Sequence, residues 1–292
     1  MQLAEASRLP DDCTSAGAPP AVSCVVVAFH RPDHVKRLVR AFDDPRIELI
    51  VVNIEGDARI GALGCQRIVA MPRNLGYAAA VNAGVASSTA GVVVFMNDDV
   101  VTTADDVLRL SERVSHGQID VAVPLVANSH GTLELGNRMP LRLARRMLLR
   151  GFPVPTEPLA VDAAWTPLVA VRADLVRAVP MSEAYFMYWE EFDWFYRLRG
   201  RGARVEVNPA VRIEHDGGPA IVRANKQRLL ARNAVRCVRL TRGRAAALRA
   251  WPVVVLWQLQ RLGGGVVRWA GLRVVGAHAA GLWAALGAWR EL

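Results

Sequence analysis

Short apolar runs and amphipathic stretches alternate along the first two thirds of the chain. Residues 23–29 (Ser-Cys-Val-Val-Val-Ala-Phe) have the length and composition of a strand buried on both faces. After Pro32, the apolar positions Val35, Leu38, Val39 and Phe42 recur at helical spacing. The alternation repeats, with strands expected at 48–53, 67–70 and 91–96 and a small-residue helix at 77–87. Thr103 and Asp106 read as a capping box opening a helix through Val114, and a further strand follows near 120–124. Order resumes at 167–171 with a strand, then a helix from Ala173, an acidic and aromatic block at 185–199, and strands at 204–207 and 211–213. Strand and helix alternating at this pace predict an α/β fold with a mostly parallel sheet.

Two regions break the rhythm. Between 128 and 162, three glycines and four prolines predict a long loop around a basic helix at 138–150, of the kind that commonly carries function. Beyond Gly218 the pattern is helical and basic to the end. The division expected is a flexible leader at 1–20, an α/β domain at 21–220, and a helical basic region at 221–292.

Charge sharpens that division. The 292 residues carry a formal net charge of +9, yet residues 223–290 hold thirteen Arg or Lys and no acid, so with Glu291 this tail carries +12 and the remainder about −3. Such a segment suits anionic lipid, nucleic acid or an acidic substrate. No nucleic-acid-binding module surrounds it, so nucleic acid is not expected. The leader lacks an apolar signal core, and Cys13, Cys24, Cys65 and Cys237 lack metal-type spacing, which fits a reducing cytoplasm.

Ligands of open parallel sheets bind at the carboxyl ends of strands, and Phe29, Asn53 and Asn97-Asp98-Asp99 all fall at such ends. Neither a dinucleotide fingerprint nor a P-loop is present. Two adjacent carboxylates with no cation nearby in sequence suit a hard divalent ion that shares a diphosphate, although Asn-Asp-Asp is also ordinary turn chemistry. In the 74–84 stretch, Asn74, Gly76 and Asn82 frame a small-residue helix that admits a close approach, or merely packs on the sheet. Glu190, Glu191 and Asp193 stand among the seven aromatics of residues 186–196, where desolvation would tune a base; alternatively the helix dipole favours them, with Asp193 paired to Arg197. His215 ends a strand ahead of two glycines, as a structural histidine or a further metal ligand.

In this order and spacing, the 25–32 strand start, Asn74-Leu-Gly-Tyr with Asn82-Ala-Gly84, Phe95-Met-Asn-Asp-Asp-Val100, the 185–193 block with Arg197, and Pro209 with His215-Asp-Gly-Gly218 resemble the inverting glycosyltransferases of family 2, nearest their rhamnosyltransferase-like branch. The resemblance implies a GT-A catalytic domain, a nucleotide-diphosphate sugar donor of dTDP, UDP or GDP type, Mg2+ or Mn2+, and a hydroxyl acceptor. It implies Asp99 and His215 as metal ligands. Phe29, Asn53, Asn74, Gly76, Asn82, Asn97 and Asp98 would line the nucleotide-sugar pocket. Glu191 would be the base, with Glu190 its neighbour and competitor and Asp193 in the same block. The family more often has Asp at the base position and at the places of Asn53 and Asn97, which leaves the nucleotide open. A sugar nucleotidyltransferase, or a non-catalytic nucleotide-sugar-binding or scaffold protein, are the competing readings.

Trp269, Leu272, Ala279, Trp283 and Leu286 recur at three-four spacing in the tail, and its longest charge-free run, 274–289, is sixteen residues, shorter than a spanning helix needs. An interfacial amphipathic helix or pair is expected, holding the protein on the inner face of the plasma membrane near a lipid-linked acceptor. The alternatives are packing on the catalytic domain and a homodimer interface.

Overall fold

The computed structural model describes residues 19–128, 133–134, 155–165, 167–215, 223–267 and 272–291. Nearly all of the expected leader, the 138–150 helix and the 216–218 turn lie outside them, as does Cys13. The elements run β1 (Val22–Ala28), α1 (Pro32–Ala41), β2 (Ile47–Ile54), α2 (Ala58–Gly61), β3 (Arg67–Met71), α3 (Tyr77–Ala86), β4 (Val92–Asn97), β5 (Val100–Val101), α4 (Ala104–Ser115) and β6 (Val121–Asn128). They continue through β7 (Leu133–Glu134), β8 (Leu159–Ala160), β9 (Leu168–Arg172), α5 (Ala173–Ala178), α6 (Glu190–Arg199), β10 (Val205–His215), α7 (Arg223–Arg242), α8 (Arg244–Val267) and α9 (Leu272–Gly287), closed by a 3-10 turn at Ala288–Glu291.

One sheet has the order β3-β2-β1-β4-β9-β6-β10-β5. It is parallel through β3-β2-β1-β4 and again between β6 and β10, with β9 antiparallel between the two blocks. The unbroken apolar strands are explained by cover on both faces. Val25, Val27, Ile50, Val52 and Phe95 face α3, α5 and α6, whereas Cys24, Val26, Val51, Val94 and Met96 face α1 and α4. Gly84 lets α3 lie flat on the sheet, since a Cβ there would stand 2.2 Å from Val25 Cγ1. The capping box forms, with Thr103 accepting from Asp106 N and the Asp106 carboxylate accepting from Thr103 N.

The structure departs from the sequence expectation in three ways. Asp98 and Asp99 do not end the strand in open chain; they form the bend between β4 and the short β5, which pairs antiparallel with the end of β10. Expected strands at 204–207 and 211–213 are one strand, β10, whose register against β6 shifts between Asn208 and Arg212. The tail folds into three helices in mutual contact, and α7 packs against α6. Of the tail's alternatives, packing on the catalytic domain therefore holds for α7. No helix among the described residues is long and apolar enough to cross a membrane.

Candidate active site

A cavity of about 760 Å³ opens at the carboxyl ends of β1 and β4, between the sheet, the 164–167 segment, the 186–192 segment and α7. The structure brings Phe29, Asn74, Gly76, Asn97, Asp98, Asp99, Glu190, Glu191 and His215 to its wall. It leaves Asn53, Asn82 and Asp193 out. The Asn53 amide donates to Asp57 O and accepts from Asp57 N, closing the β2–α2 turn. Asn82 donates to Met181 O and accepts from Met181 N, which fixes the entry to the aromatic block. Asp193 pairs with Arg197 Nε at 2.8 Å within α6.

The strand-end corner is a set of charges placed by sheet register. Antiparallel pairing of β10 with β5 sets His215 opposite Val100, next to the acidic bend. His215 Nε2 lies 3.0 Å from Asp99 Oδ1, and Asn97 Nδ2 lies 3.3 Å from the same nitrogen. Asp99 is buried, 6% exposed, with Oδ1 turned to that nitrogen. A carboxylate oxygen and an imidazole nitrogen 3.0 Å apart, flanking one point at the strand end, fit a hard divalent ion that draws its other ligands from water and a diphosphate. No cluster of three or more His, Cys, Asp or Glu capable of holding a metal occurs among the described residues.

The cation that sequence reading did not find is Arg31, just after β1. It donates to Asp99 Oδ2 at 2.9 Å and lies 3.6 Å from Asp98 Oδ1. Burial works to raise the Asp99 pKa, but His215 and Arg31 outweigh it and hold the carboxyl at about 2. Asp98 accepts from Phe29 N at 3.1 Å, and burial, only partly opposed by that bond and Arg31, pushes it up to about 6. Arg31 sits one residue past the Phe29-His30 rim; that adjacency was the available signal.

The second acidic pair sits at the first turn of α6. Glu190 is 2% exposed, with Oε2 unpartnered; burial, reinforced by the charge of Glu191, raises its pKa well above the ordinary carboxylate range. Burial also raises that of Glu191, which faces the cavity. The backbone just before them is strained, with Tyr188 at φ 70° and Trp189 at φ 80°, a region bulky residues avoid. Four hydrogen bonds hold it. Fully buried Asn233 of α7 donates to Met187 O at 3.0 Å and Tyr188 O at 3.1 Å, and Trp189 Nε1 donates to Leu230 O at 3.0 Å. From α3, Tyr77 N donates to Phe186 O at 3.0 Å, an approach that requires Gly76, since a Cβ there would stand 2.2 Å from Phe186 O. Sequence reading missed Asn233, although a polar residue in the stripe formed by Leu230, Ala234 and Cys237 was a signal of buried hydrogen bonding.

Several comparisons bear on this arrangement. Residues 61–157, about a third of the chain, match the model of Glycosyl transferase family 2. Solved structures agree over a larger share. Glucosyl-3-phosphoglycerate synthase from Mycobacterium tuberculosis with Mn2+, UDP and glucosyl-3-phosphoglycerate aligns at TM-score 0.55 and 18% identity, over 77% of this chain and 80% of that one. The fold is GT-A. A mannosyltransferase from Pyrobaculum calidifontis with GDP-Man and Mn2+ shares this GT-A architecture at TM-score 0.56 and 14% identity, over 92% of this chain and 87% of that one. GalNAc-T7 with UDP, GalNAc and Mn2+ aligns at TM-score 0.55 and 17% identity over 75% of this chain, which spans 48% of GalNAc-T7. A search of curated proteins gave no match.

Proposed function

We propose that this GT-A protein is a metal-dependent inverting glycosyltransferase that moves a sugar from a nucleotide-diphosphate donor to an acceptor hydroxyl. The observation that carries the reading is one cavity holding both Asp99, kept ionised at a strand end beside His215 and Arg31, and the buried acidic pair Glu190-Glu191, which resists ionisation. Asp99 and His215 would hold Mg2+ or Mn2+, which when bound neutralises charge developing on the departing diphosphate. Arg31 keeps Asp99 ionised and adds a fixed cation beside it. Phe29, Asn74, Gly76, Asn97 and Asp98 would line the donor pocket. Glu191, reaching the cavity from a desolvated helix turn, accepts the acceptor's proton as the hydroxyl attacks; its raised pKa makes it a stronger base than an exposed carboxylate. Rhamnose as the sugar rests on the sequence resemblance alone.

The outer helices support a second element of the proposal, contact with an anionic lipid surface near a lipid-linked acceptor. The outward side of α8 exposes Leu248, Val253, Leu256 and Leu259, and the α9 end exposes Trp283, Leu286 and Trp289, where a solvated helix would carry charge. Arginines 244, 249 and 290 are exposed beside them, and residues 223–290 contain no acid. The Leu256→Glu/Trp283→Glu variant should stay in the supernatant with phosphatidylglycerol vesicles that sediment the parent; equal sedimentation of both ends this part of the proposal.

The donor site is tested by the thermal midpoint of the protein against UDP, dTDP, GDP, ADP and CDP, each with and without Mn2+. A ligand at a hundred times its dissociation constant adds about 2.7 kcal/mol. A Mn2+-dependent rise with one nucleotide is expected. No rise with any of them in folded protein would favour the non-catalytic reading.

A further inference from the structure

The α7 wall of the cavity carries charge that the site described so far does not use. Lys226, Arg228 and Arg232 all line the cavity. Arg228 and Arg232 are one helical turn apart on the same face, roughly 6 Å along the axis, and Lys226 Nζ stands 5.5 Å from the centre of the Tyr188 ring. None of the three is ion-paired with a carboxylate among the described residues, whereas Arg31 in the same cavity has Asp99.

A charge account of the cavity leaves this face in excess. At the strand ends Asp98 and Asp99 share Arg31, whose guanidinium lies 2.9 Å from Asp99 and 3.6 Å from Asp98. Glu190 and Glu191 sit in surroundings that resist ionisation and lack a cation partner among the described residues. No carboxylate among the described residues is thus paired with the α7 cations. They are also on the Glu191 side: α7 supports the segment leading into α6 through Asn233 and the Leu230 carbonyl. Cations repeating along a helix face suit phosphate oxygens, with Arg offering paired donors and Lys a point charge.

We propose that this α7 face binds a phosphate or diphosphate group carried by the acceptor, so that the acceptor is an anionic hydroxyl compound held with its hydroxyl toward Glu191. The inference rests on the glycosyltransferase reading and narrows it to phosphorylated acceptors. Both a soluble phosphorylated compound and a lipid-borne diphosphate present this chemistry.

Calorimetry on the full chain tests it. Protein saturated with Mn2+ and the nucleoside diphosphate selected by the thermal panel is titrated with glycerol 3-phosphate in one arm and geranyl diphosphate in another, with glycerol and geraniol as uncharged controls. At least one phosphorylated probe should bind, the controls should not, and Arg228→Gln/Arg232→Gln should weaken that probe at least tenfold while nucleotide affinity stays within twofold. The arm that binds tells whether the source is soluble or lipid-borne. Equal probe binding by variant and parent, no binding of either probe, or a matching loss of nucleotide affinity, which would assign the arginines to the donor, each overturns the proposal. Failure of the glycosyltransferase reading looks different: no nucleoside diphosphate binds the parent, while the arginine-dependent probe binding, measured without nucleotide, persists. Midpoints of parent and variant within a few degrees establish that the variant is folded.

Discussion

The cavity holds two pairs of adjacent acids, Asp98-Asp99 and Glu190-Glu191, and their surroundings differ in nearly every respect. The aspartates sit in a bend between two strands, fixed by sheet register and faced by Arg31 and His215, so Asp99 is held ionised at about 2. The glutamates sit at a helix start, faced by aromatics and no cation among the described residues, and burial drives both pKa values up. Asp99 thereby suits holding a positive charge, and the glutamates suit taking a proton, as the proposed reading requires. The supports differ too. The first pair depends on backbone pairing that any apolar strand sequence supplies, the second on side-chain hydrogen bonds from α7 to a strained segment.

The sharpest way to break the comparison is to neutralise one member of each pair. Asp99→Asn should cut turnover by about 10³-fold, roughly 4 kcal/mol of lost charge stabilisation, and no added Mn2+ should restore it. Glu191→Gln should lower kcat by about 10²–10⁴-fold with donor KM little changed, as expected for loss of a general base. Should Glu191→Gln remain active and Glu190→Gln be dead, the base is Glu190.

Supports come next in size. Asn233→Ala removes two part-buried hydrogen bonds, costing about 1–3 kcal/mol of stability, and should lower kcat more than donor affinity because the released segment leads into Glu190 and Glu191. A fall in both alike would mean that Asn233 only holds the fold.

The pH dependence also separates the pairs. As the proposed base Glu191 must be ionised to act, and its folded pKa is raised, so the acid limb of kcat/KM should fall at a pKa above the ordinary 4.5 and be lost in Glu191→Gln. Glu190 has the same sign in stability: a raised folded pKa contributes stability in full below 4.5 that is lost as pH rises through the folded value. Glu190→Gln should therefore flatten the decline of the thermal midpoint above that pH. The smallest effect is expected at Asn53: Asn53→Ala loosens the β2–α2 turn, costs about 1 kcal/mol, and leaves nucleotide affinity near that of the parent.

This contrast also marks what could be read from sequence. Strands β1, β2 and β4 were legible because cover on both faces demands unbroken apolar runs, and the Thr103 cap because its chemistry is local. The acidic bend was recognisable as a site, but β5 has only Val100 and Val101, too short for any period, so the bend appeared as a strand end. Arg31 and Asn233 act across 68 and 45 or more positions respectively, on Asp99 and on the 187–188 carbonyls, and no spacing rule reaches that far. The tail's charge was plain in the sequence, but its division into a supporting α7 and outer apolar faces required the packing.

One measurement tests the division of labour most directly: calorimetric binding of the nucleotide sugar with and without Mn2+ to the parent, Asp99→Asn and Glu191→Gln proteins. The account predicts that Asp99→Asn loses the Mn2+-dependent part of the affinity, while Glu191→Gln binds like the parent and forms no product. Mn2+-dependent binding retained by Asp99→Asn, or lost by a folded Glu191→Gln, would contradict it.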